Sequence, residues 1–209
     1  MDISWLGHAC IRVRTQQVNV IMDPVDRDSG FDMGRPNADI VTTSNPSPAH
    51  SHVRGLRGEP IVLEGPGEYE IGGVQLWGHA AKLKGADGMP AARNIVFVVE
   101  AEELRVAHLG GLGTPLNAAQ EEEIGSVDVL IVPIGGDQVL DATQAARTVR
   151  ELEPKIVIPV HYAPKQGEAL EAFVKAVGLD APAPEARLTV QRRGLGDAVR
   201  LAILEPRGG

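Results

Sequence analysis

The sequence predicts a mixed α/β domain in four layers, an αββα sandwich with two β-sheets packed face to face between helices. Three observations carry the prediction: short strand-like runs fill the first half, strands alternate with helices in the second, and two of the later runs are apolar throughout. Residues 3–6, 10–14 and 18–22 are separated by Gly7-His8 and by Thr15-Gln16-Gln17, a spacing that suggests an antiparallel meander. Residues 39–43 form another strand candidate and run into Ser44-Asn45-Pro46-Ser47-Pro48, where two close prolines force a loop out of the sheet. Further strands are expected at 60–63, 74–77, 94–99 and 104–107. Gly65-Pro66-Gly67 reads as a turn, because no helix with free N–H groups follows it to cradle a phosphate.

In the second half a helix is expected over 118–124. The runs 128–133 and 155–160 have the continuous apolar character of strands buried on both faces. Between them Asp141 can cap a helix that turns Ala145, Val149 and Leu152 inward. A further helix is expected over 167–177, and final strands near 187–191 and 199–204. No internal repeat or long linker divides the chain, so residues 1–209 are expected to form one domain.

Composition limits the function. The chain is 43% hydrophobic, enough for a substantial core, and its net charge of −8 argues against a protein that tracks nucleic-acid phosphates. No run approaches the roughly 18 apolar residues of a membrane span, and Met1-Asp2-Ile3-Ser4 does not open a secretion signal, so a soluble cytoplasmic protein is expected. Cys10 is the only cysteine, and it reads as a buried strand residue.

Seven blocks in order, Trp5-Leu6-Gly7-His8-Ala9, Asp23-Pro24, Gly65-Pro66-Gly67-Glu68-Tyr69-Glu70, Ala107-His108-Leu109-Gly110, Leu112-Gly113, Val132-Pro133-Ile134-Gly135-Gly136 and Ile158-Pro159-Val160-His161-Tyr162, resemble one family. It is the small metal-dependent hydrolase branch of the metallo-β-lactamase superfamily, the branch that resembles L-ascorbate-6-phosphate lactonases. The resemblance implies an αββα fold and a dinuclear zinc or manganese centre at one edge of the sandwich, used on phosphoesters, lactones or similar substrates. It also implies a ligand set: a His-x-His-x-Asp-His loop, a later His, a bridging Asp and a last His.

Carried over residue by residue, that set is mostly missing. Asn45 and Ser47 stand at the first two His positions and Ala49 at the Asp, while His50 keeps the last position of the loop. Leu83 falls at the later His, Gly111 at the bridging Asp, and His161 retains the last His. Ala, Leu and Gly have no side-chain lone pair, and Asn and Ser offer only neutral oxygens. His50 and His161 are thus the two metal ligands left; His8, Asp23 and His108 read as supports behind them. Two histidines supply on the order of half of the roughly 10–16 kcal/mol of a four-ligand zinc site, for a Kd nearer 10 μM than nanomolar. No tightly bound cofactor is expected.

Two functions stay open. The first is a pseudoenzyme, a non-catalytic binding or assembly module that could form a homo-oligomer and whose small-molecule ligand the sequence does not name. The alternative is an active hydrolase of phosphoesters or lactones that recruits His50, His161 and one or more of His52, His79 and His108 to a relocated zinc or manganese site.

Overall fold

The computed structural model describes residues 1–85, 92–163 and 167–207. The strands are β1 (Asp2–Gly7), β2 (Cys10–Arg14), β3 (Asn19–Met22), β4 (Ile40–Thr42), β5 (Ile61–Leu63), β6 (Gly67–Ile71), β7 (Val74–Lys82), β8 (Arg93–Ala101), β9 (Leu104–His108), β10 (Val129–Pro133), β11 (Ile156–Val160), β12 (Leu188–Thr189) and β13 (Arg200–Leu201). The helices are α1 (Pro48–Ser51), α2 (Ala118–Ile124), α3 (Ala142–Leu152) and α4 (Glu168–Val177). The strands form a six-stranded sheet, β12-β1-β2-β3-β4-β5, and a seven-stranded sheet, β13-β11-β10-β9-β8-β7-β6.

The β1-β2-β3 meander is antiparallel, as its short polar turns require, and β4 joins β3 in parallel after a long excursion. Alternation along each strand decides which side chains meet. Ile3, Trp5, Ile11, Val13, Val20, Met22 and Ile40 project from the first sheet into one continuous core with Val74, Leu76, Ile95 and Phe97 of the second. The buried runs Val129–Pro133 and Ile156–Val160 are neighbouring parallel strands with every residue buried, because helices cover their far side. Asn117 and Asp141 close capping boxes that start α2 and α3. Removing either oxygen costs about 1 kcal/mol.

Two details differ from the sequence expectation. Gly67–Ile71 is an edge strand paired to β7, where the sequence suggests only a turn at its start. Glu68 and Glu70 keep that edge charged, which hides the strand from an apolar-run reading and discourages other chains from pairing with it. The final strands are two residues each, shorter than the runs that suggest them. The outer layer over the first sheet is also thin. Leu6, Cys10, Ile21 and Val41 are covered by Val25, Met33, Ala38 and Leu56 from loop segments and short helical turns. Cys10 is buried there.

Candidate metal centre

The parallel strands β9, β10 and β11 end at one edge of the sandwich, and the turns of the first sheet come to the same edge. His8 lies in the β1–β2 turn and His161 directly after β11, and the His161 amide donates to the His8 carbonyl at 2.9 Å. The Trp5 indole donates to that same carbonyl at 2.8 Å. Both histidines have left-handed backbones, φ 52° and 59°, which turn their rings out of the strand direction. His50 is delivered by α1, which Pro48 starts at its first position after the N-cap Ser47.

The three rings converge. Centroids lie 3.8 Å apart for His8 and His161, 5.0 Å for His8 and His50, and 5.4 Å for His50 and His161. One ligand nitrogen from each lies within 4.8 Å of the other two. Sequence alone places His8 behind the site; its ring instead stands beside His50 and His161, and its buried Nδ1 has no hydrogen-bond partner among the described residues.

Asp23 sets the tautomer of His50. The carboxylate is fully buried and accepts from the Ser44 amide at 2.7 Å, from the Ser44 hydroxyl at 2.6 Å and from His50 Nδ1 at 2.6 Å. Burial by itself raises the Asp23 pKa, but the adjoining His50 ring and the Ser44 hydroxyl outweigh it and leave the group below its usual range. An ionised carboxylate only accepts, so His50 Nδ1 is the donor, and in the neutral ring Nε2 is the nitrogen that carries the lone pair. His108 is different. Its Nε2 lies 2.8 Å from the Ala9 carbonyl and must donate, which leaves Nδ1 to accept from the Gly110 amide at 3.2 Å. Both nitrogens are engaged, and His108 ties the two sheets together.

Three of the other positions carried over from the resemblance, Asn45, Leu83 and Gly111, lie together against His50. A Cβ placed on Gly111 would lie 3.0 Å from Asn45 Nδ2, 3.1 Å from Leu83 Cδ2 and 3.3 Å from His50 Cε1, so Asn45, Leu83, His50 and Gly111 face one point. Asn45 is already engaged at both ends, its Nδ2 with Ser44 Oγ and its Oδ1 with the Ser47 amide. Ser47 is exposed and Ala49 half-buried. Asn94, fully buried, donates to the Leu109 carbonyl and accepts from the Gly111 amide, holding this loop in shape. Gly110, at φ 61°, brings the loop against Ser44, and a Cβ there would lie 2.2 Å from Ser44 Cβ.

His52 and His79 do not join the cluster. The His52 ring packs near Gly55, and His79 lies on β7 with Nδ1 3.8 Å from Glu123 of α2. The recruited set weighed from sequence therefore does not assemble among the described residues, apart from His50 and His161.

Residues 2–161 match the family model described as a beta-lactamase superfamily domain. The chain belongs to the metallo-β-lactamase superfamily. Within this superfamily it is 31% identical to a Thermotoga maritima protein provisionally assigned as a zinc-dependent hydrolase, whose crystal structure superposes at a TM-score of 0.80 with 99% of both chains covered. It is 23% identical to a UPF0173 metal-dependent hydrolase of Natranaerobius thermophilus, over 78% of this chain and 83% of the relative. It is 28% identical to a UPF0173 protein of Pyrococcus furiosus, over 84% and 90%. Several of the homologues, that of Natranaerobius thermophilus among them, are metal-dependent hydrolases by name.

Burial sets the acid response of the cluster. It holds His8 down at about 4, helped by the His50 ring, and pushes His161 and His108 down as well. An unfolded histidine titrates near 6.5, so as pH falls through 6.5 the unfolded chain takes up protons that the folded chain refuses. Native stability should therefore fall between pH 6.5 and 4, by on the order of 3 kcal/mol from His8 alone once pH 4 is reached. Urea midpoints at pH 7 and pH 4.5, read in chelator, check this, and His8→Gln should shrink the difference. An unchanged midpoint would contradict the burial assigned to these rings.

Proposed function

We propose that this superfamily member has lost two-metal hydrolysis and keeps one half of the centre as a weak, single-metal site of His8, His50 and His161, serving as a binding module. The observation that carries the proposal is the convergence of three imidazoles, with His8 Nδ1 left without a partner among the described residues and His50 oriented by Asp23. Three histidines and an open fourth position are a recognised zinc environment. Ideal tetrahedral zinc wants its ligand nitrogens about 3.3 Å apart, so spacings of up to 4.8 Å ask for a small inward movement of the rings.

A dinuclear centre does not fit these residues. Leu83 and Gly111 offer no donor, Asn45 spends its amide within the loop, and the Leu83 side chain lies beside the space a bridging carboxylate would enter. A bound metal would supply Lewis acidity at the three-histidine position. Around it, this chain contributes the Asp23 carboxylate that fixes His50 and the His8–His161 backbone link that fixes the other two rings.

One observation favours a second reading, a single-metal hydrolase. His8 and His161 border a cleft of about 560 Å³, room for a small substrate at the open position. Zinc competition against a chromophoric chelator tests the main reading. The parent is expected to bind one zinc with a Kd of about 1 μM, corresponding to about 8 kcal/mol from three ligands. His8→Ala and His161→Ala should each weaken it at least tenfold. Equal affinity in parent and His8→Ala would remove His8 from the site, and steady hydrolysis by zinc-loaded parent that His161→Ala abolishes would favour the second reading.

A further inference from the structure

The cleft beside the histidine cluster has a chemical character of its own. It is lined by His8, Phe31, Asp137, Gln138, His161, Tyr162 and Glu168, with smaller residues between them. Phe31 and Tyr162 are positioned by Trp5, whose ring centroid lies 6.1 Å from the first and 5.0 Å from the second. Asp137 and Glu168, both exposed, come from the loop after β10 and from the start of α4, so two acidic residues share this lining with Phe31 and Tyr162. Among the described lining residues there is no Lys or Arg. Lys84 comes to the rim, where its ammonium donates to the Gly136 carbonyl at 3.2 Å, without being one of the lining residues.

The start of α4 would ordinarily attract an anion, because its first N–H groups are free and the helix dipole is positive there. In this chain Glu168 and Glu171 occupy that first turn. Their negative charge complements the dipole from within and repels an incoming phosphate or carboxylate. An ammonium meets the opposite situation, with two carboxylates and two aromatic rings among the lining residues.

We infer that the cleft takes a small amine-bearing ligand with a flat apolar body, its ammonium toward Asp137 and Glu168, and not a phosphorylated one. The inference deepens the proposed binding role and depends on the three-histidine reading only for the end of the ligand that faces the metal. Benzylamine and phenyl phosphate, matched in their ring and opposite in charge, are the probes, titrated by ligand-observed NMR against chelator-treated protein so that no metal attracts the phosphate. Benzylamine should saturate and bind more tightly than phenyl phosphate, and Asp137→Asn and Glu168→Gln should each weaken it about threefold, with added salt doing the same. Absence of benzylamine saturation, tighter binding of phenyl phosphate, or unchanged affinity in the double variant would each overturn the inference. Because the measurement is made without metal, these failures leave the zinc competition result standing, and a failed zinc competition leaves this result standing.

Discussion

Asp23→Ala is expected to destabilise the metal-free protein by about 3–5 kcal/mol, the usual cost of deleting one member of a buried charged hydrogen-bonded group. Three donors lose their acceptor together: the Ser44 amide, the Ser44 hydroxyl and His50 Nδ1. Alanine would also have to adopt the left-handed backbone that Asp23 holds at φ 51°, at about 1–2 kcal/mol. Asp23→Asn separates charge from fold. Asparagine tolerates that backbone, and its amide oxygen can still accept from Ser44, so stability should fall by about 1–2 kcal/mol only. Its NH2 group, however, favours the His50 tautomer protonated on Nε2, and zinc affinity should fall on the order of 10–100-fold. Urea denaturation of both variants and zinc competition on Asp23→Asn check these outcomes. An Asp23→Asn protein that binds zinc as the parent does would show that the carboxylate does not orient His50.

Restoring the missing donors is expected to have the largest effect on metal affinity. Asn45→His, Ser47→His, Ala49→Asp, Leu83→His and Gly111→Asp together rebuild the superfamily's inventory around His50 and His161. Three of these positions are neighbours, since a Cβ on Gly111 meets Asn45, Leu83 and His50. Gly111 invites the concern that glycines often occupy backbones that aspartate resists. Its φ is not positive, and the left-handed glycine is its neighbour Gly110, so an aspartate in place of Gly111 strains only the side chains it touches. Leu83→His removes one of those contacts. Ser47 remains the difficult position, exposed at the start of α1 between two prolines. The five-site variant should therefore recover the second metal incompletely, with overall zinc affinity at least 100-fold above the parent, or about 2.7 kcal/mol. A folded variant that binds no more tightly than the parent would refute the assignment of these positions.

The fold was legible wherever burial writes a pattern. The all-apolar runs Val129–Pro133 and Ile156–Val160 are adjacent parallel strands, and the short polar turns after β1 and β2 give the meander. β6 carries no such pattern, since an edge strand with alternating glutamates lacks an apolar run. His50 and His161 were legible as survivors of a ligand pattern, and they lie side by side. His8 comes beside them through a left-handed turn and the backbone bond to His161, a contact between distant parts of the chain that no local spacing reveals. The one signal available was that Gly7-His8 ends a strand in a family block, as His161 does. His52 and His79 failed for the converse reason: sequence nearness to the loop or to a ligand position did not bring their rings to the edge where His50 sits.

The most direct test of the single-metal claim is the anomalous difference map of a crystal soaked in zinc, recorded on either side of the zinc edge. One peak is expected, bounded by the imidazole nitrogens of His8, His50 and His161, with His50 contributing Nε2 while Nδ1 stays on Asp23. Two peaks about 3.5–4 Å apart, or one peak on the side of His50 that faces Asn45, Leu83 and Gly111, would contradict it.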